Sequence, residues 1–188
     1  MERNSQAKIE PLEAQIRECF GRVAWSHKTQ EKCADILLLR DKTIKIWQIV
    51  LSVITTTSII GSFLGESQWG VILAGILSAI LLGLNTYTKD YNLGEISQKH
   101  SDSAIQLWNI RELYLSILTD IKSNTSTVEE IQNRRDQLQE KLKSIYKGSP
   151  RTISKAYVEA TKALKVNEEL TFSDKEIDNL LPTALRKF

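Results

Sequence analysis

Hydrophobic and polar positions are sharply segregated along this chain. Two uncharged stretches, residues 46–65 and 67–88, lie nearly back to back, and Glu66 alone interrupts them. Each is roughly twenty residues long, about 30 Å as a helix, which is enough to cross a bilayer core. The connection Gly65-Glu66-Ser67-Gln68 suits a tight helix–helix turn. The pattern therefore predicts a two-helix membrane hairpin that returns to the side it came from. Buried core helices of a soluble bundle rarely run so long without charge, and rarely as an adjacent pair.

Both arms read as helix. In the first, Ile9, Leu12, Ile16, Phe20, Val23, His27, Ala34 and Leu38 recur at three- and four-residue steps. Pro11 belongs in a first turn, so the regular helix is expected from about Glu10, and no turn signal separates it from the first span. After Gly94 a second pattern carries Ala104, Leu107, Trp108, Tyr114, Leu115, Leu118 and Ile121 as its main stripe, with Ile105, Ile110, Leu113 and Ile117 on other faces. Such a greasy helix must touch more than one neighbour, within a bundle or across a subunit interface. Thr127 with Glu130, and Ser173 with Glu176, read as capping boxes. Between them Val128, Ile131, Leu138, Leu142 and Ile145 fall at heptad spacing with Arg135 at a core-type position. Gly148-Ser149-Pro150 ends one helix and begins another, lined by Ile153, Tyr157, Ala160 and Leu164; Pro182 should kink or shorten the last apolar pattern, Ile177 to Leu185. The expected architecture is an all-α membrane protein: an N-terminal cytosolic helical arm (1–45), a transmembrane hairpin (46–88), a cytosolic helical bundle (89–147) and a C-terminal helical tail (148–188).

Composition changes little by itself. Charged residues make up 26% of the chain, hydrophobic ones 41%, and the formal net charge is +2, averages that mix an apolar middle with polar arms. Placement says more. Trp47 and Tyr87 flank one level of the hairpin and Phe63 and Trp69 the other, as amphipathic rings do at both lipid boundaries, so Trp47, Trp69 and Tyr87 are the candidate interfacial anchors. Lys32, Arg40, Lys42, Lys45 and Lys89 gather on the side of the arms and the turn has no Lys or Arg, which predicts a two-pass protein with both termini cytoplasmic. The first apolar run begins too far behind a charged segment for a cleavable signal peptide. Cys19 and Cys33 match no metal or redox spacing and read as small helix residues.

No phosphate loop, zinc-protease motif, nucleophile elbow or cysteine–histidine cluster is present, so neither catalysis, nor a cofactor, nor a metal site is expected. Basic residues are dispersed among acids, unlike a nucleic-acid groove, so no nucleic acid partner is expected. His27 and His100 both fall on apolar stripes and Arg111 joins them there, a candidate buried polar cytosolic cluster. The histidines are either hydrogen-bonded core residues or pH-sensing or ligand-contact groups, and Arg111 needs an acid such as Glu18 or Glu31. Within the spans, Gln48, Ser52, Thr55 and Ser62 recur along one side of the first helix, and Gly75, Ser78, Ala79, Leu82, Asn85 and Thr86 give a small and polar side to the second. These positions either pack helix on helix or line a water-filled path in an oligomer, since one hairpin cannot enclose a pore. Gly61 and Gly65 form a further small pair.

The order of elements resembles the SLATT domains, two-helix membrane effectors of prokaryotic nucleotide-signalling conflict systems. The residues that carry the resemblance are Trp25-Ser26-His27-Lys28 before the hairpin, the segment from Leu84 to Glu95 after it, and its continuation into His100, Ala104 and Ile110-Arg111-Glu112-Leu113-Tyr114. The resemblance implies a defence effector that oligomerises in the lipid bilayer and permeabilises or depolarises the inner membrane, with cell death or arrest as the outcome. It also implies a separately encoded sensor or nucleotide-generating partner, and no catalytic residues. With little room for a fused nucleotide-binding domain in 188 residues, the trigger is a separate sensor, a small ligand held by the cytosolic bundle, or assembly itself. The competing expectation is a non-conducting membrane-anchored helical scaffold for a signalling partner.

Overall fold

The computed structural model describes residues 2–65 and 68–187, with side chains except those of residues 2–8 and Leu64. Glu66 and Ser67, the centre of the expected turn, lie outside the described residues. The chain is 87% helical and has no strand among the described residues. Its helices are α1 (Glu2–Gly65), α2 (Gln68–Asp90), α3 (Leu93–Ser123), α4 (Val128–Gly148), α5 (Ser154–Lys165) and α6 (Asp174–Leu180), followed by a 3-10 turn at Thr183–Leu185. Contacts divide it into two units, Met1–Lys32 with Ser103–Phe188, and Cys33–Asp102.

The first unit is a water-type bundle. Leu12, Ile16, Cys19 and Val23 of α1 meet Leu107, Ile110, Tyr114 and Ile117 of α3 and Ile131 and Leu138 of α4 in one buried cluster. The alternating three- and four-residue steps keep each seam on one side of its helix, as in coiled coils. The α3 stripe is therefore offset from the expected one. Ile110 and Ile117 are buried, whereas Trp108 and Leu115 stand exposed. Arg135, at the core-type position of α4, donates to Gln15 Oε1 and Asp136 Oδ1 instead of entering the core. Cys19 is buried, as is Cys33 of the other unit, and neither forms a disulfide among the described residues.

Both capping boxes are present, at Thr127–Glu130 and Ser173–Glu176. Asn124 takes a left-handed φ of 53° to close α3, while the amides of Asn124 and Thr125 bond back to Ile121 and Asp120. Two proline expectations shift. Helix α1 runs through Pro11 from Glu2, giving up the backbone bond that a proline nitrogen cannot make. Pro150 does not open α5, because Ser149 and Ile153 are both extended and the helix begins at Ser154. Helix α5 buries Ala156, Ala160 and Ala163 and leaves Tyr157 exposed, so its contact face is a line of alanines. Pro182 follows the end of α6, as expected, but Ile177, Leu180 and Leu185 are exposed while Asp178 is buried and accepts the Lys187 amide.

The second unit contains the hairpin. Helices α1 and α2 are each long and apolar enough to cross a membrane, and only 6% of the most apolar stretch of each is buried within the protein. At the base of this unit Cys33, Leu37 and Asp41 of α1 are buried along with Leu93, Ser97 and His100 of α3, and Ser97 Oγ donates to the Ala34 carbonyl at 2.7 Å. Asn92 caps α3 by accepting the Glu95 amide.

Candidate functional site: the membrane hairpin

The hairpin seam is built from positions at alternating four- and three-residue steps. On α1 the sheltered residues are Gln48, Leu51, Thr55, Ser58 and Ser62; on α2 they are Gly70, Ala74, Leu77, Leu81, Leu84 and Thr88. Thr55 and Ala74 are the most deeply buried, at 8% and 4% exposure. Small side chains are what let the two backbones close. A Cβ on Gly70 would stand 2.0 Å from Ser62 Oγ and 2.7 Å from the Ser58 carbonyl, so only glycine fits there. Gly61 and Gly65, by contrast, have nothing within 4 Å of a built Cβ; the packing glycine is Gly70, where no sequence motif singled it out.

At the opposite end Gln48 Nε2 donates to Asn85 Oδ1 at 2.9 Å and to Thr88 Oγ1 at 3.1 Å, an interhelical polar clamp. The hydroxyls of Ser52, Thr55, Thr56 and Ser62 each donate to the carbonyl four residues back, which removes an unpaired donor from the apolar span. Of the sequence-selected polar positions, the structure thus brings Gln48, Thr55 and Ser62 into the seam. Ser52 and Ser78 face outward, as do Gly75, Ala79, Leu82 and Thr86. Asn85 is exposed but reaches back to Gln48.

The outward positions sort into two sides. One residue along a helix turns a side chain by about 100°. Because α1 and α2 run antiparallel, a step of one residue beyond each seam position turns both helices toward the same side of the hairpin. That side carries Ile49, Ser52, Thr56, Ile59 and Phe63 of α1 with Val71, Gly75, Ser78, Leu82, Asn85 and Lys89 of α2. The Gly70–Ser62 and Gln48–Thr88 contacts fix a register in which Thr56 is level with Ser78. A step of one residue before each seam position gives the other side: Trp47, Val50, Ile54, Thr57 and Gly61, with Trp69, Leu73, Ile76, Ile80, Gly83 and Tyr87. All three interfacial aromatic anchors fall on it, each exposed, with Thr57, two glycines and aliphatic residues between them.

The polar residues of the arms are placed as follows. His27 is buried in the bundle, with Nε2 3.4 Å from Glu31 Oε1 and Nδ1 without a partner. His100 is buried at the base of the hairpin unit, and burial holds its pKa below the ordinary histidine value. Arg111 pairs with its neighbour Glu112 through Nε and Nη2. The acids expected for it are engaged elsewhere, Glu18 with Arg22 and Glu31 with His27 and Lys28.

An ionic knot that periodicity could not disclose stands beside His27. Lys28 Nζ lies 2.9 Å from both Glu31 Oε2 and Glu169 Oε2, and Lys32 reaches Glu169 at 3.5 Å. Glu169 follows Glu168, whose left-handed φ of 51° turns the loop back after α5. Hydrogen bonding from His27 first, then from Lys28, holds Glu31 down at about 2. Lys28 first, with Asn167 next, does the same for Glu169. Burial opposes the charge on Lys28, but its two carboxylates outweigh burial and hold its pKa above the usual lysine value. In the core, burial, with the Cys19 thiol alongside, pushes Tyr114 up to about 12. No group of three or more His, Cys, Asp or Glu gathers to hold a metal among the described residues.

An all-helical chain with two bilayer-length apolar helices folded as a hairpin is a two-pass membrane protein. A family model described as SMODS and SLOG-associating 2TM effector domain family 4 matches residues 12–176, and the chain belongs to that family. No curated protein and no solved structure matches it.

Proposed function

We propose that this membrane effector acts by assembling several hairpins so that the side bearing Ser52, Thr56, Ser78 and Asn85 faces other copies, and that assembly or its gating permeabilises the inner membrane and depolarises the cell. The observation that carries this reading is the two-sidedness of the hairpin. Its anchor-bearing side is aromatic and aliphatic apart from Thr57 and two glycines, whereas its other side sets Ser52, Thr56, Ser78 and Asn85 among Ile49, Ile59 and Leu82 at the same depth. Ser52 and Thr56 hydroxyls are satisfied by their own helix. Among the described residues, no hydrogen bond is seen from the Ser78 hydroxyl, and the Asn85 carboxamide is seen to use only its oxygen. Polar groups in hydrocarbon without partners cost free energy, which contact with another chain or with water in a pore relieves. The Lys42, Lys45 and Lys89 side is cytoplasmic in this reading, so both arms face the cytosol, where a separately encoded sensor or nucleotide-generating partner supplies the trigger. The chemistry is non-enzymatic, and the outcome for the cell is arrest or death.

The test is membrane potential, read with a dye in bacteria after induction of the chain. Wild type is expected to depolarise the cell. The double variant Ser52→Leu, Ser78→Leu should reach the membrane and fail to do so. Ile54→Leu with Ile80→Leu, on the anchor side, should behave as wild type. Equal behaviour of the two double variants would sink the assignment of sides. Absence of depolarisation by all three at verified membrane expression would favour the non-conducting scaffold.

A further inference from the structure

The bundle unit holds an open cleft of about 480 Å³ between α1, the end of α4 and the start of α5. That volume lies within the range of small-molecule sites. The cleft's chemistry is one-sided. Trp25, Tyr146 and Tyr157 supply aromatic walls, Arg151 a cation, and Ser149 and Thr152 hydroxyls; no acidic side chain lines it.

Its walls are tied together by bonds between residues far apart in sequence. Tyr146 donates its hydroxyl proton to Ser26 Oγ at 2.8 Å, and Gln30 Nε2 donates to the Pro150 carbonyl at 3.3 Å. Lys165 Nζ stands 5.4 Å from the centre of the Trp25 ring, and Tyr157 packs against that ring tilted, centroids 5.8 Å apart. Yet Tyr146 and Tyr157 leave about half their surface bare, at 45% and 54%. The indole nitrogen of Trp25 is buried with no hydrogen-bond partner. The extended segment from Ser149 to Ile153 explains why Pro150 does not open a helix. It brings Arg151 into the lining of the cleft.

We infer that this cleft binds a small molecule consisting of a flat aromatic ring that carries an anionic group, the ring stacking on the bared tyrosines and the anion meeting Arg151. Aromatic faces bind planar rings with little regard to ring identity. A guanidinium offers paired donors that suit a carboxylate and a phosphate alike. Helix α1, which forms one wall, is the same helix that enters the first span. The inference does not depend on whether the hairpin conducts.

The test is isothermal titration calorimetry on the full chain in lipid nanodiscs, with empty nanodiscs as blank. Two ring anions distinguish the sources of negative charge: adenosine 5′-monophosphate for a phosphate and 2-naphthoate for a carboxylate. Adenosine alone and inorganic phosphate alone separate ring from charge. At least one ring anion should bind, at least about tenfold more tightly than adenosine or phosphate. Arg151→Gln, a change at an exposed side chain with no ion pair, should weaken it by about tenfold or more, as should Tyr157→Ala, while Tyr157→Phe stays within about threefold. No heat from either ring anion up to about 5 mM, binding indifferent to Arg151→Gln, or phosphate binding as well as the ring anions would each overturn the inference.

Discussion

The bundle and the hairpin use the same helical arithmetic with opposite chemistry. In the bundle, three- and four-residue steps bury Ile16, Val23, Leu107, Ile110 and Ile117 and turn charge outward. In the hairpin, the same steps shelter Gln48, Thr55, Ser58, Ser62, Gly70 and Ala74 and turn Ile, Val, Leu and Trp outward. In water the large aliphatic side chains gain by leaving solvent. In lipid they gain nothing by meeting each other, so close backbone approach and interhelical hydrogen bonds hold the helices instead. The inversion is what distinguishes a membrane span from a buried soluble helix when only burial is compared.

The sharpest way to break the comparison is to shave equivalent aliphatic residues from each region. Ile16→Ala or Ile110→Ala in the bundle should cost about 2–5 kcal/mol by cavity formation, read by denaturation of the full chain in nanodiscs. The same change at exposed Ile54 or Ile76 should cost less than about 0.5 kcal/mol. Comparable losses at both would mean that the hairpin's outer face is buried in the folded chain.

A smaller effect is expected at Gly70. Gly70→Leu forces the helices apart at the Ser58–Ser62 level and should destabilise the hairpin by about 1–3 kcal/mol, whereas Gly75→Leu, where a Cβ meets nothing, should not. Thermal melting of the two variants in the same detergent checks this.

The smallest effect is one of pH, and in the bundle it centres on the Lys28 carboxylates. Glu31 is held at about 2 against an ordinary 4.5, so the folded state binds its proton less readily than the unfolded state. Its contribution is therefore fully present above about pH 4.5 and is lost as pH falls from there toward 2. Bundle stability should decline as pH falls below about 4.5, with Glu31→Gln removing part of that slope and Glu169 accounting for a further part. An unchanged slope in Glu31→Gln would place the acid sensitivity elsewhere.

The sequence made the spans legible, because exclusion of charge over a bilayer length has few other causes, and it made the capping boxes legible, because they are local. It did not reveal the seam. Within a span, small and polar residues look alike whether they pack or face outward, so Ser78 and Gly75 read as candidates for packing while Leu51 and Leu77, which the seam shelters, did not. In α3, an apolar residue on nearly every face let Trp108 and Leu115 pass as core. A place on the apolar stripe called for an acid from another helix near Arg111, yet its long side chain folds to the adjacent Glu112. Glu169 gave no signal at all; a loop carboxylate acquires its lysines only through tertiary folding.

The two sides of the hairpin can be compared most directly by cross-linking in the membrane. In a chain with Cys19→Ala and Cys33→Ala, Ser78→Cys and Ile80→Cys place single thiols two residues apart, on the two different sides. After treatment of membranes with a short thiol cross-linker, covalent dimers are expected from Ser78→Cys and not from Ile80→Cys. Dimers from Ile80→Cys alone, or equally from both, would contradict an assembly built on the polar side.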